Sequence, residues 1–220
     1  ELDNLGIITV KNKVDIIKGV GANLVKFGYT APLVKEKLIV LLATRMLWDK
    51  GVKEFIEAAK LLKSKYNKTV FFKLCGSIDK GNPELVPESY LASEFIEGYL
   101  KWEGYKENIA EEYRQADIVV LPSYREGMPT VLIEACAIGR PLVTTTAIGC
   151  RDCVEEGWNG YKVSVKSAEE LAIAIEKLIL DADARLIMGK NSRVKAEKEF
   201  DQKEVVCKQL DICDLILNLK

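Results

Sequence analysis

Short, continuous apolar runs constrain this chain more than any other feature. Lys37–Ala43 (KLIVLLA), Thr69–Cys75 (TVFFKLC), Asp117–Leu121 (DIVVL) and Pro141–Thr145 (PLVTT) lack the polar alternation of a half-exposed strand. They suit strands buried on both faces, which is the condition of a parallel sheet sandwiched between helices. Segments of helical period separate them. In Lys50–Tyr66, Val52, Phe55, Ile56, Ala59 and Leu62 fall on one face, with Lys and Glu on the other. Helices are predicted over Ser89–Leu100, Glu107–Ala116 and Pro129–Ile138, with a loop over Ser77–Pro87 and short strands at Val14–Lys18, Lys101–Glu103 and Tyr161–Val165. Ser167-x-x-Glu170 is a capping box that opens a helix running to about Leu180. Two more helices, Ala184–Phe200 and Lys203–Leu219, close the chain. Strand–helix alternation of this kind predicts a doubly wound α/β fold, a parallel sheet with helices on both faces and a helical C-terminal tail.

Composition narrows the chemistry. The 220 residues suit a single domain, taken here as residues 1–220. A net charge of -1 supplies no global field toward nucleic acid, so no nucleic-acid partner is expected. No apolar run approaches the roughly 20 residues needed to span a bilayer. Histidine is absent, which excludes Ser-His-Asp and Cys-His catalysis and imidazole-based metal sites. Cys150-x-x-Cys153 has metal or redox spacing, but no second pair accompanies it. Most of the six cysteines lie in apolar or helical runs, as reduced thiols do in a cytoplasmic protein. No metal and no cofactor are expected.

In open parallel sheets, ligands bind beyond the carboxyl ends of the strands. The loop after Lys37–Ala43 reads T-R-M-L-W-D-K-G and puts Arg45 and Lys50 just before a helix. Two cations beside a helix N-terminus make an anion site, and a plain solvated loop accounts for them equally well. The loop after Asp117–Leu121 reads P-S-Y-R-E-G-M-P. Glu126 and Gly127 lie in its turn, Gly127 permits a positive φ and close backbone approach, and Pro129 suits the first turn of a helix. The amides of Gly127 and Met128 would point out of that helix start, toward a phosphate or a sugar hydroxyl. Glu134 is the single polar residue between Val131 and Gly139. A buried carboxylate costs several kcal/mol unless a strong donor meets it. That donor is either a structural Arg or Lys, or a ligand diol such as a ribose. Trp48 and Tyr124 stand at strand exits, where packing competes with ligand stacking. Gly19-x-Gly21 lacks the third glycine of a dinucleotide fingerprint, and Asp181-x-Asp183 sits between helices, where aspartates cap.

Taken together, these segments resemble the large retaining family, numbered four, of GT-B glycosyltransferases. Two glutamates with seven residues between them, flanking a Gly-x-Pro turn, are the mark of that family, and Glu126 and Glu134 have that spacing. K-G-V-G-A-N-L-V-K-F (18–27), C-G-S (75–77), W-E-G-Y (102–105), G-R-P-L-V-T-T-T-A-I-G-C-R-D (139–152) and E-E-G-W-N-G-Y-K-V (155–163) match further family segments in order. Asn23 and Thr146 stand where the family commonly has Asp. The resemblance implies the Rossmann-like C-terminal half of a two-domain enzyme, whose N-terminal half binds the acceptor and is met by the final helix (203–220). It implies a nucleoside-diphosphate-sugar substrate, UDP-linked first of all, bound without metal. Arg45 and Lys50 would neutralise the diphosphate, and Glu134 would hold the ribose. Glu126, Gly127, Met128 and Pro129 would orient the sugar, with Gly76 and Gly104 at the nucleoside.

W-D-K-G-V-K-E-F-I-E-A-A and G-C-R-D resemble the bacterial branch that extends lipid-diphosphate-linked glycans for capsule or O-antigen, often with a HexNAc. A cytoplasmic enzyme follows, with peripheral contact at the inner membrane face open to the full-length protein. A non-catalytic nucleotide-sugar-binding module and a dinucleotide-dependent oxidoreductase domain are the competing readings.

Overall fold

In a computed structural model, residues 17–217 are described. Six parallel strands form one sheet: β1 Leu38–Ala43, β2 Val70–Cys75, β3 Leu100–Trp102, β4 Ile118–Leu121, β5 Leu142–Thr145 and β6 Gly160–Val163. Their order is β3-β2-β1-β4-β5-β6. The four central strands are almost wholly buried and the edge strands β3 and β6 only in part, as the lengths of the apolar runs predict. The predicted Val14–Lys18 strand lies mostly outside the described residues.

The helices are α1 Val52–Tyr66, α2 Glu88–Ser93, α3 Ile109–Gln115, α4 Thr130–Ile138, α5 Cys150–Cys153, α6 Ala168–Leu180, α7 Ala182–Glu199 and α8 Gln202–Leu217. Right-handed crossovers send the chain in opposite directions from β1 and from β4, so the intervening helices cover opposite faces. α1 packs with α6 on one face, and α4 packs with α3 and α7 on the other. Half of the expected capping box forms: Ser167 accepts from the Glu170 amide, while the Glu170 carboxylate accepts from the Ser164 amide instead of that of Ser167. Asp181 caps α7 by accepting from the Ala184 amide, the role expected of it as a helix cap. α2 stops well short of Leu100. The chain turns back at Gly98 (φ 67°), and Ile96 pairs with Leu100 instead of continuing a helix. The four-residue α5 was not anticipated; no hydrophobic period reveals so short a helix.

One buried cation ties the entry segment to this frame. Arg140, after α4, is wholly buried and faces backbone carbonyls rather than a carboxylate. Its guanidinium donates to the carbonyls of Tyr113 (2.9 Å), Thr30 (2.7 Å), Arg114 (2.8 Å) and Gly139 (3.4 Å). A planar fork of five N–H donors meets such a set, which a lysine cannot do. Asn23 accepts from the amides of Val25 and Lys26 through its side-chain oxygen and so closes the turn before Phe27. Arg140→Met leaves the shielded carbonyls of Thr30, Arg114 and Gly139 without this donor, each costing about 1–3 kcal/mol. The expected loss is at least about 3 kcal/mol in urea unfolding. A midpoint unchanged from the unsubstituted chain would mean that Arg140 anchors nothing.

Candidate functional site

The strand order reverses between β1 and β4, and at their carboxyl ends the two exit loops face each other. Gly51, between the 3-10 turn Trp48–Lys50 and α1, packs against the β4 exit so closely that an added Cβ would lie 2.2 Å from the Pro122 carbonyl oxygen. The two loops are joined by an ion pair. Lys50 Nζ lies 2.8 Å from Glu126 Oε1, and both side chains are mostly shielded from solvent. Ser123 Oγ, fully buried, stands 3.0 Å from the same carboxylate oxygen. Thr145 donates in turn to the Ser123 carbonyl at 2.6 Å. Glu126 therefore has a defined position before any ligand arrives.

The other predicted residues divide into those the structure joins to this pair and those it does not. Arg45 shares a loop with Lys50, but its exposed guanidinium pairs with Asp79 of the β2-exit loop at 2.9 Å. Pro129 occupies the N-cap position of α4, one residue before the helix rather than inside its first turn, and no side chain caps that end. The amides of Gly127 and Met128 donate to no acceptor among the described residues. Free N–H groups at a helix start favour an oxyanion or a hydroxyl. Met128's side chain packs away from them, against Cys153 Sγ at 3.4 Å.

Gly127 itself needs correction. It does not adopt a positive φ, and a Cβ there would meet open space. The glycine that the turn depends on is Gly149, with φ 80°. A Cβ on Gly149 would lie 2.3 Å from the Gly127 carbonyl oxygen and 2.5 Å from that of Glu126. The Glu126 amide also donates to the Ile148 carbonyl at 3.1 Å. Sequence reasoning placed Gly149 in a matching segment without seeing that its backbone supports Glu126.

Glu134 lies on α4, half-buried rather than enclosed. Its partner is the wholly buried phenol of Tyr113, which donates to Oε2 at 3.2 Å. No lysine or arginine forms an ion pair with it among the described residues, where the phenol of Tyr113 is its hydrogen-bond partner. Burial pushes its pKa up, while the Tyr113 hydroxyl and the field of Lys26 pull it down less strongly. Nothing in the spacing of α3 pointed to Tyr113.

Gly76 and Gly104 do meet. Gly76 N–H donates to the Gly104 carbonyl at 2.8 Å, joining the exits of β2 and β3. Gly76 is obligatory, since a Cβ there would lie 1.7 Å from the Thr44 carbonyl oxygen. Beside them, Cys75, Glu103 and Glu112 bring ligating atoms within 4.8 Å of one another. Lysine ammoniums already match those carboxylates: Lys73 lies 2.7 Å from Glu112 and 3.3 Å from Glu103, and Lys106 lies 2.7 Å from Glu103. Burial raises the Cys75 thiol to about 12, so it offers no thiolate, and the cluster is built for ion pairing.

Cys150 and Cys153 are buried free thiols, both with pKa raised by burial, as incidental use predicts. Gly19 and Gly21 abut Met128 and Gln202 at the entry turn and open no helix, unlike a dinucleotide loop. Trp48 packs edge-on against Tyr90 at 5.0 Å, and Tyr124 donates to Glu54 at 2.7 Å.

Residues 30–195 match the family described as "Glycosyl transferases group 1". The chain belongs to that family. Among curated group 1 relatives, the N,N'-diacetylbacillosaminyl-diphospho-undecaprenol alpha-1,3-N-acetylgalactosaminyltransferase of Campylobacter jejuni is 35% identical over 97% of this chain and 57% of its own length. The capsular polysaccharide biosynthesis glycosyltransferase CapM of Staphylococcus aureus is 29% identical over 81% of this chain and 46% of its own. The chain thus spans about half the length of these relatives. Anabaena Alr3699/HepE, solved in complex with UDP, superposes with a TM-score of 0.77 at 23% identity over 88% of this chain and 56% of that one. The C-terminal domain of a group 1 protein, LpcC of Francisella tularensis, superposes at 0.68 with 24% identity, over 82% of this chain and 99% of that one. These likenesses establish the Rossmann-like fold of a GT-B glycosyltransferase half. Among the described residues, no helix is long and apolar enough to cross a membrane.

The raised pKa of Glu134 makes a prediction for the ligand-free group 1 domain. A carboxyl whose folded pKa lies above its unfolded one favours the fold below the unfolded pKa and loses that advantage as pH rises through the folded pKa. At neutral pH, Glu134 is therefore a liability without a ligand. Glu134→Gln should raise the thermal midpoint near pH 7.5, and the gain should shrink as pH falls into the carboxylate range. A midpoint lowered equally at every pH would contradict this electrostatic account.

Proposed function

We propose that this chain is the donor-binding half of a retaining glycosyltransferase that takes its sugar from a nucleoside diphosphate, UDP first of all, without a metal. The observation that carries the reading is the meeting of Lys50 and Glu126 beside the free amides of Gly127 and Met128. A cation and two N–H donors lie on the same pair of loops as a carboxylate whose second oxygen accepts no hydrogen bond from the described residues. Diphosphate fits the first set and sugar hydroxyls fit the second.

In the reaction, the bond from the anomeric carbon to the diphosphate oxygen breaks, and UDP leaves with the electron pair. Lys50, with Arg45 swung from Asp79, offsets the charge that grows on the leaving oxygens. Glu126 orients the sugar and stabilises positive charge at its ring, while the amides of Gly127 and Met128 donate to oxygens of the donor. The acceptor hydroxyl then bonds to the anomeric carbon on the face the leaving group vacated, which is retention, and its proton passes to the departing diphosphate oxygen on that face. Glu134, its carboxylate half-open beside Tyr113, accepts from the ribose diol. Pro129 sets the start of α4, and Gly76 with Gly104 lines the nucleoside end.

The sugar and acceptor follow from the relatives. The Campylobacter jejuni relative transfers N-acetylgalactosamine to an undecaprenyl-diphosphate-linked sugar, so a HexNAc and a lipid-diphosphate-linked glycan are proposed here. An N-terminal domain would bring the acceptor, and α8 would reach it. Of residues 202–214 in α8 only Val205 is buried, which leaves the helix exposed for such a contact. Cytoplasmic location and peripheral membrane contact of the whole protein belong to the same proposal.

The two glutamates are expected to fail differently. By calorimetry in EDTA, this chain should bind UDP, and Glu134→Gln should weaken it about ten- to hundredfold, since hydrogen bonds to charged groups are worth roughly 1.5–3 kcal/mol. Glu126→Gln should leave UDP affinity nearly intact, while lowering turnover in the two-domain enzyme. UDP binding that needed Mg²⁺ or Mn²⁺ would refute the metal-independent reading. Equal loss of UDP in both variants would refute the division of roles.

A further inference from the structure

We infer that Glu54 and Tyr124 form a strut that positions Glu126 and keeps it in place when Lys50 turns to the diphosphate. The inference rests on the donor-binding reading and adds two positioning residues to it. In that reading Glu126 loses the ammonium that stands 2.8 Å away just when it must meet a sugar. Its support must then come from the turn at 123–127. Ser123 cannot supply it alone. Its Oγ lies 3.0 Å from Glu126 Oε1, 3.1 Å from the Asp49 carbonyl and 3.3 Å from the Arg125 carbonyl, with one hydroxyl proton for all three acceptors.

Tyr124 is the neighbour that fixes the turn. Its N–H donates to the Asp49 carbonyl at 2.9 Å, tying the backbone to the 3-10 turn that carries Lys50. Its hydroxyl donates to Glu54 Oε1 at 2.7 Å, in the first turn of α1. Over the face of the ring, Lys166 Nζ stands 5.0 Å from the centroid. Lys166, on the loop leaving β6, has φ 60°, the one positive φ outside glycine among the described residues. A side chain disfavours that conformation, which persists where its surroundings impose it. The ring is therefore held at its hydroxyl by α1 and over its face by the β6 exit.

Glu54 shows that more than packing is involved. It is buried, at 6% exposure, beside the apolar residues of α1. Its Oε2 is enclosed and meets no donor among the described residues. A carboxylate with a single neutral donor costs the fold more than an apolar side chain would in that place. The phenol gains from it instead. Burial and the Glu54 carboxylate both push the Tyr124 pKa up, so the hydroxyl stays a donor. A cost carried at α1 thus gives a directed bond two residues before Glu126, and it joins the two exit loops a second time.

Replacing both partners by apolar groups separates positioning from stability, because such a swap can restore the fold while the bond stays lost. The variants are Tyr124→Phe, Glu54→Gln and the double Glu54→Leu/Tyr124→Phe, read by thermal midpoint and UDP calorimetry in this chain and by turnover in the two-domain enzyme. Tyr124→Phe should lower midpoint and turnover together. The double variant should regain the midpoint yet turn over about ten- to hundredfold more slowly, with KM and UDP affinity kept, since a misplacement of about 1 Å can cost that much. Glu54→Gln, which keeps an oxygen for the phenol, should recover most of that loss. Adding Glu126→Gln to the double variant should cost much less than it does alone, because residues acting as a unit are not additive. Exchange of the Glu126 amide, bonded to the Ile148 carbonyl, should quicken about tenfold in both variants that carry Tyr124→Phe. Turnover that recovers with the midpoint, a Glu126→Gln loss that multiplies in full, or unchanged amide exchange overturns the strut alone. An unsubstituted chain that binds neither UDP, GDP nor ADP overturns the donor-binding reading and this one with it.

Discussion

The pairing of β1 on both of its edges is the constraint from which the site follows. β1 runs in register with β2 from Leu38↔Val70 to Ala43↔Cys75, and on its other side Val40 and Leu41 meet Ile118 and Val119 of β4. A strand in that position has no edge left for water, so its residues must be apolar on both faces, as Val40–Ala43 are. The crossovers from β1 and β4 depart in opposite directions, and no helix can cover the gap at their carboxyl ends. Polar groups gather there because the core needs none of them. The glycines at the rim are what allow the loops to approach: Gly51 lies against Pro122, Gly76 against Thr44, and Gly149 against the Glu126–Gly127 turn.

Two clusters of charge sit on that rim and differ in kind. Lys73 and Lys106, with Lys101 at longer range, match Glu103 and Glu112, and neither carboxylate is left over. That arrangement suits support. At the β1–β4 crevice the account does not close: α4 starts without a cap, two amides lack acceptors, and Arg45 reaches only an exposed aspartate. Exposed pairs such as Arg45–Asp79 are worth about 0–1 kcal/mol, so a diphosphate competes with that aspartate at little cost.

The sheet was legible because fully buried strands leave a signal that short half-exposed ones do not. KLIVLLA, TVFFKLC and DIVVL gave β1, β2 and β4 within a residue or so. The helix predicted to Leu100 failed because Gly98 turns the chain and an edge strand follows, a tertiary choice that local propensity does not encode. Arg45, Lys50, Glu126 and Glu134 were legible as site candidates because each is a charge at a strand exit or in an apolar helix. Their partners were not. Ser123, Tyr113 and Gly149 look like ordinary loop, core and turn residues, and only the packing of separate crossovers brings them beside the glutamates. Lys73 was read simply as part of a strand, since a single lysine in an apolar run does not say whether a carboxylate awaits it.

The same packing gives the two glutamates opposite electrostatic surroundings. Glu126 is held by an ammonium; in the proposed reading, drawing Lys50 toward a diphosphate frees it at the moment a sugar hydroxyl can replace that partner. Glu134 is held by a neutral phenol beneath an apolar helix and carries its charge at a cost until a ligand supplies donors. In the proposed reading, binding a ribose relieves that cost, whereas binding a sugar at Glu126 trades one strong partner for weaker ones. On that proposal the nucleoside end is suited to give affinity, and the sugar end to hold back interaction for the step in which positive charge develops at the anomeric carbon. A chain without histidine can divide binding from chemistry in this way because the division rests on where each carboxylate's partner is charged and where it is not.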